Sequence, residues 1–354
     1  MTADGRKSIN DGLPIPRLVM PFEECTANPA GSATEASLWT WVDSFELTPT
    51  AGSRRHLERT ETPWIASLFY PRATRHVLPL LTQHLAWAFI VDDQFDDGPV
   101  GRDVAQATSA VAELRAQLET NPAPAGSRPA RALHDIWTRA VAERSRGWIE
   151  QFGTSIEQWL YSLRHDAEDR WHDHRPTIAE YRQRRRYGSG MPMFFDLAEL
   201  SLGVDMDPRL RALPEYSRAR LWLAEWIGLH NDIYMARKDL EIDPAHNAVC
   251  IVHRTGRRSL EQSLVAVAEM ADHCMTRYLE CERDCLSAFD AVAPSPRARA
   301  DAARCFDSYR QVCRACFDIE GRTQRYRNAS DYLAAARHGR DEAPDWTAER
   351  LFGD

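Results

Sequence analysis

Residues 85–91 read LAWAFIV and run without a break into DDQFDD at 92–97. The wider segment, PRATRHVLPLLTQHLAWAFIVDD at 71–93, repeats its apolar residues at the three- and four-residue spacing of a helix. Pro71 suits the first turn of that helix. A helix this apolar is a buried one, yet its C-terminal end carries four aspartates. The helix dipole disfavours anions at that end, so positive charge must come from elsewhere. The same period persists from about residue 36 to 320, and no alternating strand segments joined by hairpin turns interrupt it. The pattern predicts one all-α domain of roughly ten helices.

Residues 1–35 are rich in Pro, Gly, Asn and Thr and read as an extended leader packed on the domain. The domain is expected over 36–340, with 341–354 as a C-terminal tail. The first 16 residues lack an apolar core of the kind a signal peptide has. No stretch nears the ~18 apolar residues of a membrane span, so a cytoplasmic protein is expected. With 44 basic and 52 acidic residues, the net charge of −8 argues against general nucleic-acid binding. Seven of the eight cysteines fall in the C-terminal third inside helical patterns. Cys313 and Cys316 form a C-x-x-C without a second pair or a histidine at zinc spacing, so buried free thiols are expected.

Four stretches carry chemistry. In DDQFDD, Asp92 and Asp96 are four apart and Asp93 and Asp96 three apart, so they share a helix face and repel unless a cation lies between them. Hard oxygen ligands of this kind suit Mg²⁺, which is commonly held by one or two carboxylates plus substrate phosphates. In HNDIYMARKDLE at 230–241, Asn231, Met235 and Asp239 line one face over about 12 Å, with Lys238 able to meet an anion. YRQRRRYGSG at 181–190 sets four arginines ahead of a glycine break, and arginine forks suit phosphate oxygens. GRTQRYRNASDY at 321–332 adds Arg322, Arg325, Tyr326 and Arg327. Each stretch alone is an ordinary solvated helix face or turn. Together they have the composition needed to hold a diphosphate. Aromatic residues lie near all of them, and ring faces stabilise cations.

On these residues the sequence resembles the bacterial class I terpene synthases, collinearly from about 15 to 335. The resemblance implies that Asp92, Asp93 and Asp96 form the aspartate-rich metal motif, with Asp92 the direct ligand. It implies that Asn231 and Asp239 belong to a second metal motif, followed by His246-Asn247. The diphosphate sensor is Arg185 by spacing or Arg186 by the local pattern. Arg325 and Tyr326 match an Arg-Tyr pair that binds the diphosphate, and Lys238 assists. A backbone carbonyl near Gly188–Gly190, with Gly190 the candidate, helps trigger ionisation. The implied fold is a single helical bundle around an apolar cavity. The implied cofactor is Mg²⁺, three ions with substrate bound, and a homodimer through outer helices is expected.

One departure stands out. The family's serine is Met235 here and its glutamate is Asp239. A thioether does not replace a hydroxyl on a hard cation, so weakened metal affinity is expected. The implied reaction is ionisation of farnesyl or geranylgeranyl diphosphate, followed by carbocation cyclisation. Two alternatives stay open at this point: a prenyl-chain-elongating transferase, and a non-catalytic helical protein that binds prenyl diphosphates.

Overall fold

The computed structural model describes residues 14–119, 126–293, 295–320, 322–323 and 351–352. Among these residues the chain forms fourteen α-helices and no strand. They are α1 (Glu35–Ser44), α2 (Ala51–Glu58), α3 (Thr62–Phe69), α4 (Leu78–Asp96), α5 (Val104–Ala116), α6 (Arg128–Val141) and α7 (Arg146–His172). Then follow α8 (Ile178–Gly188), α9 (Met191–Ser201), α10 (Pro208–Arg211), α11 (Pro214–Ile242), α12 (Ala248–Gly256), α13 (Leu260–Val292) and α14 (Pro296–Glu320). The all-α single-domain fold expected from the sequence is the one observed. The helices outnumber the expected ten because short pieces such as α2, α3 and α10 are too brief to show a period.

The helix bearing the aspartates starts later than its pattern suggests, at Leu78 with Pro79 in its first turn, and not at Pro71. The Asn28 side chain donates to the carbonyls of Tyr70 and Ala73 at 3.0 and 2.9 Å, which fixes a turn there. The Thr177–Glu180 capping box is present and opens α8. That helix breaks at Gly188, and Gly190 takes φ +68°, a backbone state open to glycine at little cost, before α9 begins.

A continuous apolar core joins the helices, with Trp87, Trp148 and Trp226 fully buried. α11 packs along α13 and α8 and also touches α9, α12 and α14. Residues 14–30 form no helix and lie against the bundle: Arg314 donates to the Phe22 carbonyl at 2.8 Å, and Val19 N–H donates to Asp272 at 2.7 Å. Near the other terminus, Phe352 sits edge-on to Phe95, with ring centroids 6.0 Å apart. All eight cysteines are free, and all but Cys25 are buried.

Candidate active site

Along α4 the residues facing inward pass from Leu85, Ala88 and Phe89 to Asp92 and Asp96. Along α11 they pass from Ile227 and Gly228 to Asn231, Met235, Lys238 and Asp239. The two helices therefore line one cavity with an apolar floor and a charged mouth. Phe69, Trp159, Met191, Met193, Phe194 and Ile319 complete the floor. The cavity volume is about 220 Å³.

Each acidic group in the mouth has its own setting. Asp92 faces the cavity. Asp93, also at its edge, is held by His56 Nε2 at 2.9 Å. Asp96 accepts from Arg170 at 3.2 Å, and Asp97 pairs with Lys238 at 3.5 Å, tying α4 to α11. Asp239 accepts from Asn247 Nδ2 at 2.9 Å. Burial pushes the Asp239 carboxyl up to about 7, against the pull of Lys238 and Asn247.

The arginine cluster of α8 divides by helix face. Arg182 and Arg186 both clamp the fully buried Glu225, at 2.7 and 2.6 Å, and Arg186 also stacks on Trp222. Of the two sensor candidates, Arg185 lines the cavity and Arg186 is not among the lining residues. Arg184 turns to Asp169 at 2.7 Å. Arg185 enters the mouth, donating to Asn231 Oδ1 at 2.9 Å and pairing with Asp232 at 2.8 Å. Asp232 also accepts from Tyr181 and from the Ala248 N–H, so Arg185 is aimed by a buried, multiply bonded carboxylate. Gly190 lines the cavity, and its carbonyl accepts from the Met193 N–H at 3.2 Å. Arg325 and Tyr326 lie outside the described residues.

Several mouth residues escape a reading by motif: Asp166, Asp169, Arg170, Asp232, Asp243 and Glu320. Arg170 donates to Asp243 at 2.7 Å, to Asp96, and to the carbonyls of Phe95 and Gly101. Burial alone would lower the His246 imidazole, but Asp166, Asp169 and Asp243 raise it to about 10, so it is a cation at neutral pH. Asp166, Asp169 and His246 place ligand atoms within 4.8 Å of one another. The only sequence signal for this layer is the charge of residues next to the motifs, as with Asp232 beside Asn231.

A family model described as terpene synthase family 2, C-terminal metal binding, matches residues 83–277. The chain is 28% identical over 289 residues to (2Z,6E)-hedycaryol synthase of Kitasatospora setae, covering 81% of this chain and 85% of that one. It is 28% identical over 318 residues to pentalenene synthase of Streptomyces exfoliatus, covering 88% and 93%. A solved structure of hedycaryol synthase with HEPES superposes at TM-score 0.77 with 27% identity, covering 86% of this chain and 98% of that one.

The chain belongs to the terpene synthase family and is a bacterial-type class I terpene cyclase, a lyase that acts on a prenyl diphosphate. It binds divalent metal: the matched family region is the metal-binding one, and the oxygens of Asp92, Asp96, Asn231 and Asp239 at one cavity mouth are hard donors of the right kind. Elongation and binding without chemistry are not favoured. No helix among the described residues is long and apolar enough to cross a membrane.

Proposed function

We propose that the chain ionises farnesyl diphosphate with Mg²⁺ and closes the resulting allylic cation to a cyclic sesquiterpene. The observation that carries this reading is the convergence of Asp92 and Asp96 on α4 with Asn231 and Asp239 on α11 at the mouth of one apolar-floored cavity. The fifteen-carbon substrate is favoured by one relative, a T-muurolol synthase of Roseiflexus castenholzii, whose name specifies (2E,6E)-farnesyl diphosphate cyclisation.

Asp92, Asp96, Asn231 and Asp239 would hold the Mg²⁺ ions, three with substrate bound as the family resemblance implies, with Asp93, bonded to His56, at the same edge of the cavity. When bound, Mg²⁺ supplies Lewis-acid stabilisation of the departing diphosphate. Arg185 and Lys238 meet the diphosphate oxygens from the α8 and α11 sides, with Arg325 and Tyr326 assigned to the same task. Preorganised charge of this kind acts where negative charge develops. Gly190, at the helix break, is assigned the backbone carbonyl that helps trigger ionisation. The floor excludes water, and Phe69, Phe89, Trp159 and Phe194 offer ring faces to the cation. Eight unpaired thiols suit a reducing, cytoplasmic compartment. A homodimer through outer helices is part of this reading.

The test is incubation of purified protein with Mg²⁺ and geranyl, farnesyl or geranylgeranyl diphosphate, read by gas chromatography–mass spectrometry. A cyclic fifteen-carbon product from farnesyl diphosphate is expected. A longer diphosphate, a twenty-carbon product alone, or no product would overturn the reading.

A further inference from the structure

Glu320 closes α14, lines the cavity and is only 3% exposed. A carboxylate buried so deeply needs compensation. Its Oε1 accepts from Asn231 Nδ2 at 3.3 Å. Its Oε2 approaches His230 Nδ1 but makes no well-directed hydrogen bond among the described residues. His230 is itself enclosed by the rings of Trp226, Tyr234 and Phe317. Thus one oxygen of this buried carboxylate, Oε1, meets the side chain of Asn231 at the cavity, while the other, Oε2, lies against His230.

A second, independent observation lies one helical turn along α11. Met235 faces the same cavity between Asn231 and Asp239. Its sulfur is a soft donor, poorly suited to a hard divalent cation. The α11 donor set is one oxygen short.

We propose that Glu320 supplies that oxygen, joining Asn231 and Asp239 as a ligand to the divalent cation on the α11 side; the inference rests on the function proposed above. The spacing fits. With bonds of about 2.1 Å in an octahedral Mg²⁺ site, adjacent ligand atoms lie about 3 Å apart. The Asn231 amide and Glu320 Oε1 are 3.3 Å apart. Asn231 Oδ1 now faces Arg185 at 2.9 Å. When a diphosphate draws Arg185 away, a half-turn of the amide carries its oxygen to the Glu320 side. Two oxygens at this separation repel each other until a cation joins them.

The test is titration of Mg²⁺ into the full chain with inorganic pyrophosphate by calorimetry, with bound Mn²⁺ counted by electron paramagnetic resonance. Glu320→Gln, checked for fold by circular dichroism, is expected to lose one ion or weaken its binding by at least about tenfold. Adding Met235→Ser to Glu320→Gln is expected to restore the ion. If Glu320→Gln does not fold, Glu320→Asp serves in the same titration, with affinity below wild type expected. Unchanged ion count and affinity in whichever variant folds, or no rescue by Met235→Ser, would overturn the assignment. That result with an active wild type leaves the cyclase reading standing. A wild type that binds no metal and turns over no prenyl diphosphate overturns both.

Discussion

Arg185 lies across α11 where Gly228 has no side chain. A Cβ at that glycine would stand 2.8 Å from Arg185 Cγ and 3.0 Å from its Nε. Gly228→Ala should push the guanidinium off Asp232 and Asn231 and lower kcat about 100-fold, the scale of an ångström-level misplacement, with an unchanged circular dichroism spectrum. A kcat within twofold of wild type would show that Arg185 needs no such seat. Asp92 and Asp93 are adjacent in sequence but differ in setting, since His56 holds Asp93. Asp92→Asn should therefore reduce turnover about 100- to 1000-fold and Asp93→Asn markedly less, in parallel assays at saturating Mg²⁺. His84, on the same helix, is fully buried, with neither ring nitrogen hydrogen-bonded among the described residues, and is packed by Trp87, Phe152 and Phe194. Burial lowers its imidazole from 6.5 to about 3. The folded protein thus resists a proton that the unfolded chain accepts, and stability is full above pH 6.5 and falls as pH drops toward 3. At pH 5 the loss from this group is about 2 kcal/mol. His84→Phe should flatten that limb in urea denaturation run at several pH values. These residues divide what a sequence discloses. Asp92 and Asn231 stand in patterned motifs, whereas Gly228, His84 and Glu320 acquire meaning only from neighbours far away in the chain.

Besides the Asp97–Lys238 pair, a side chain from a third helix joins the ends of α4 and α11. Arg170, from α7, bridges Asp96 and Asp243 and caps carbonyls at Phe95 and Gly101. Removing this cation leaves Asp96, Asp166 and Asp243 with less to offset their mutual repulsion. Arg170→Met should destabilise the fold by about 3 kcal/mol in urea titration, the lower range for breaking a buried pair. Mg²⁺ with pyrophosphate should recover part of the loss, because added cations take over the neutralising role. A variant as stable as wild type, or one indifferent to Mg²⁺, would remove Arg170 from this role. At this scale periodicity and capping were legible: the break at Gly188–Gly190 and the capping box at Thr177 follow from local chemistry. The false start at Pro71 did not follow from it, because the Asn28 side chain that bends residues 70–73 arrives from forty residues earlier. Arginine roles were illegible for the same reason. Arg182, Arg184, Arg185 and Arg186 are alike in a string, and the helix then points them at Glu225, Asp169 and Asp232.

Over the whole molecule, the cavity concentrates acid at one mouth while the core around it holds the thiols. Of the eight cysteines only Cys25 is half-buried; Cys316 lines the cavity and the other six are packed in the core. Burial also raises the Cys25 thiol, so even this group reacts slowly near neutrality. A thiol-colour assay on the native chain should therefore show at most one reactive group, and eight after full denaturation. The remaining seven should appear at a rate set by opening of the fold. Under the proposed function, metal and pyrophosphate bind the native mouth and not the unfolded chain, so at 100 times their dissociation constant they should stabilise the native state by about 2.7 kcal/mol. If thiols react from a globally opened state, their exposure should slow about 100-fold under those conditions. Pyrophosphate without Mg²⁺ should slow it far less, because the carboxylates repel an uncompensated anion. Slowing confined to Cys316, identified by mass spectrometry of the labelled peptides, would mean instead that the thiols become reachable through local openings and that ligand merely plugs the cavity.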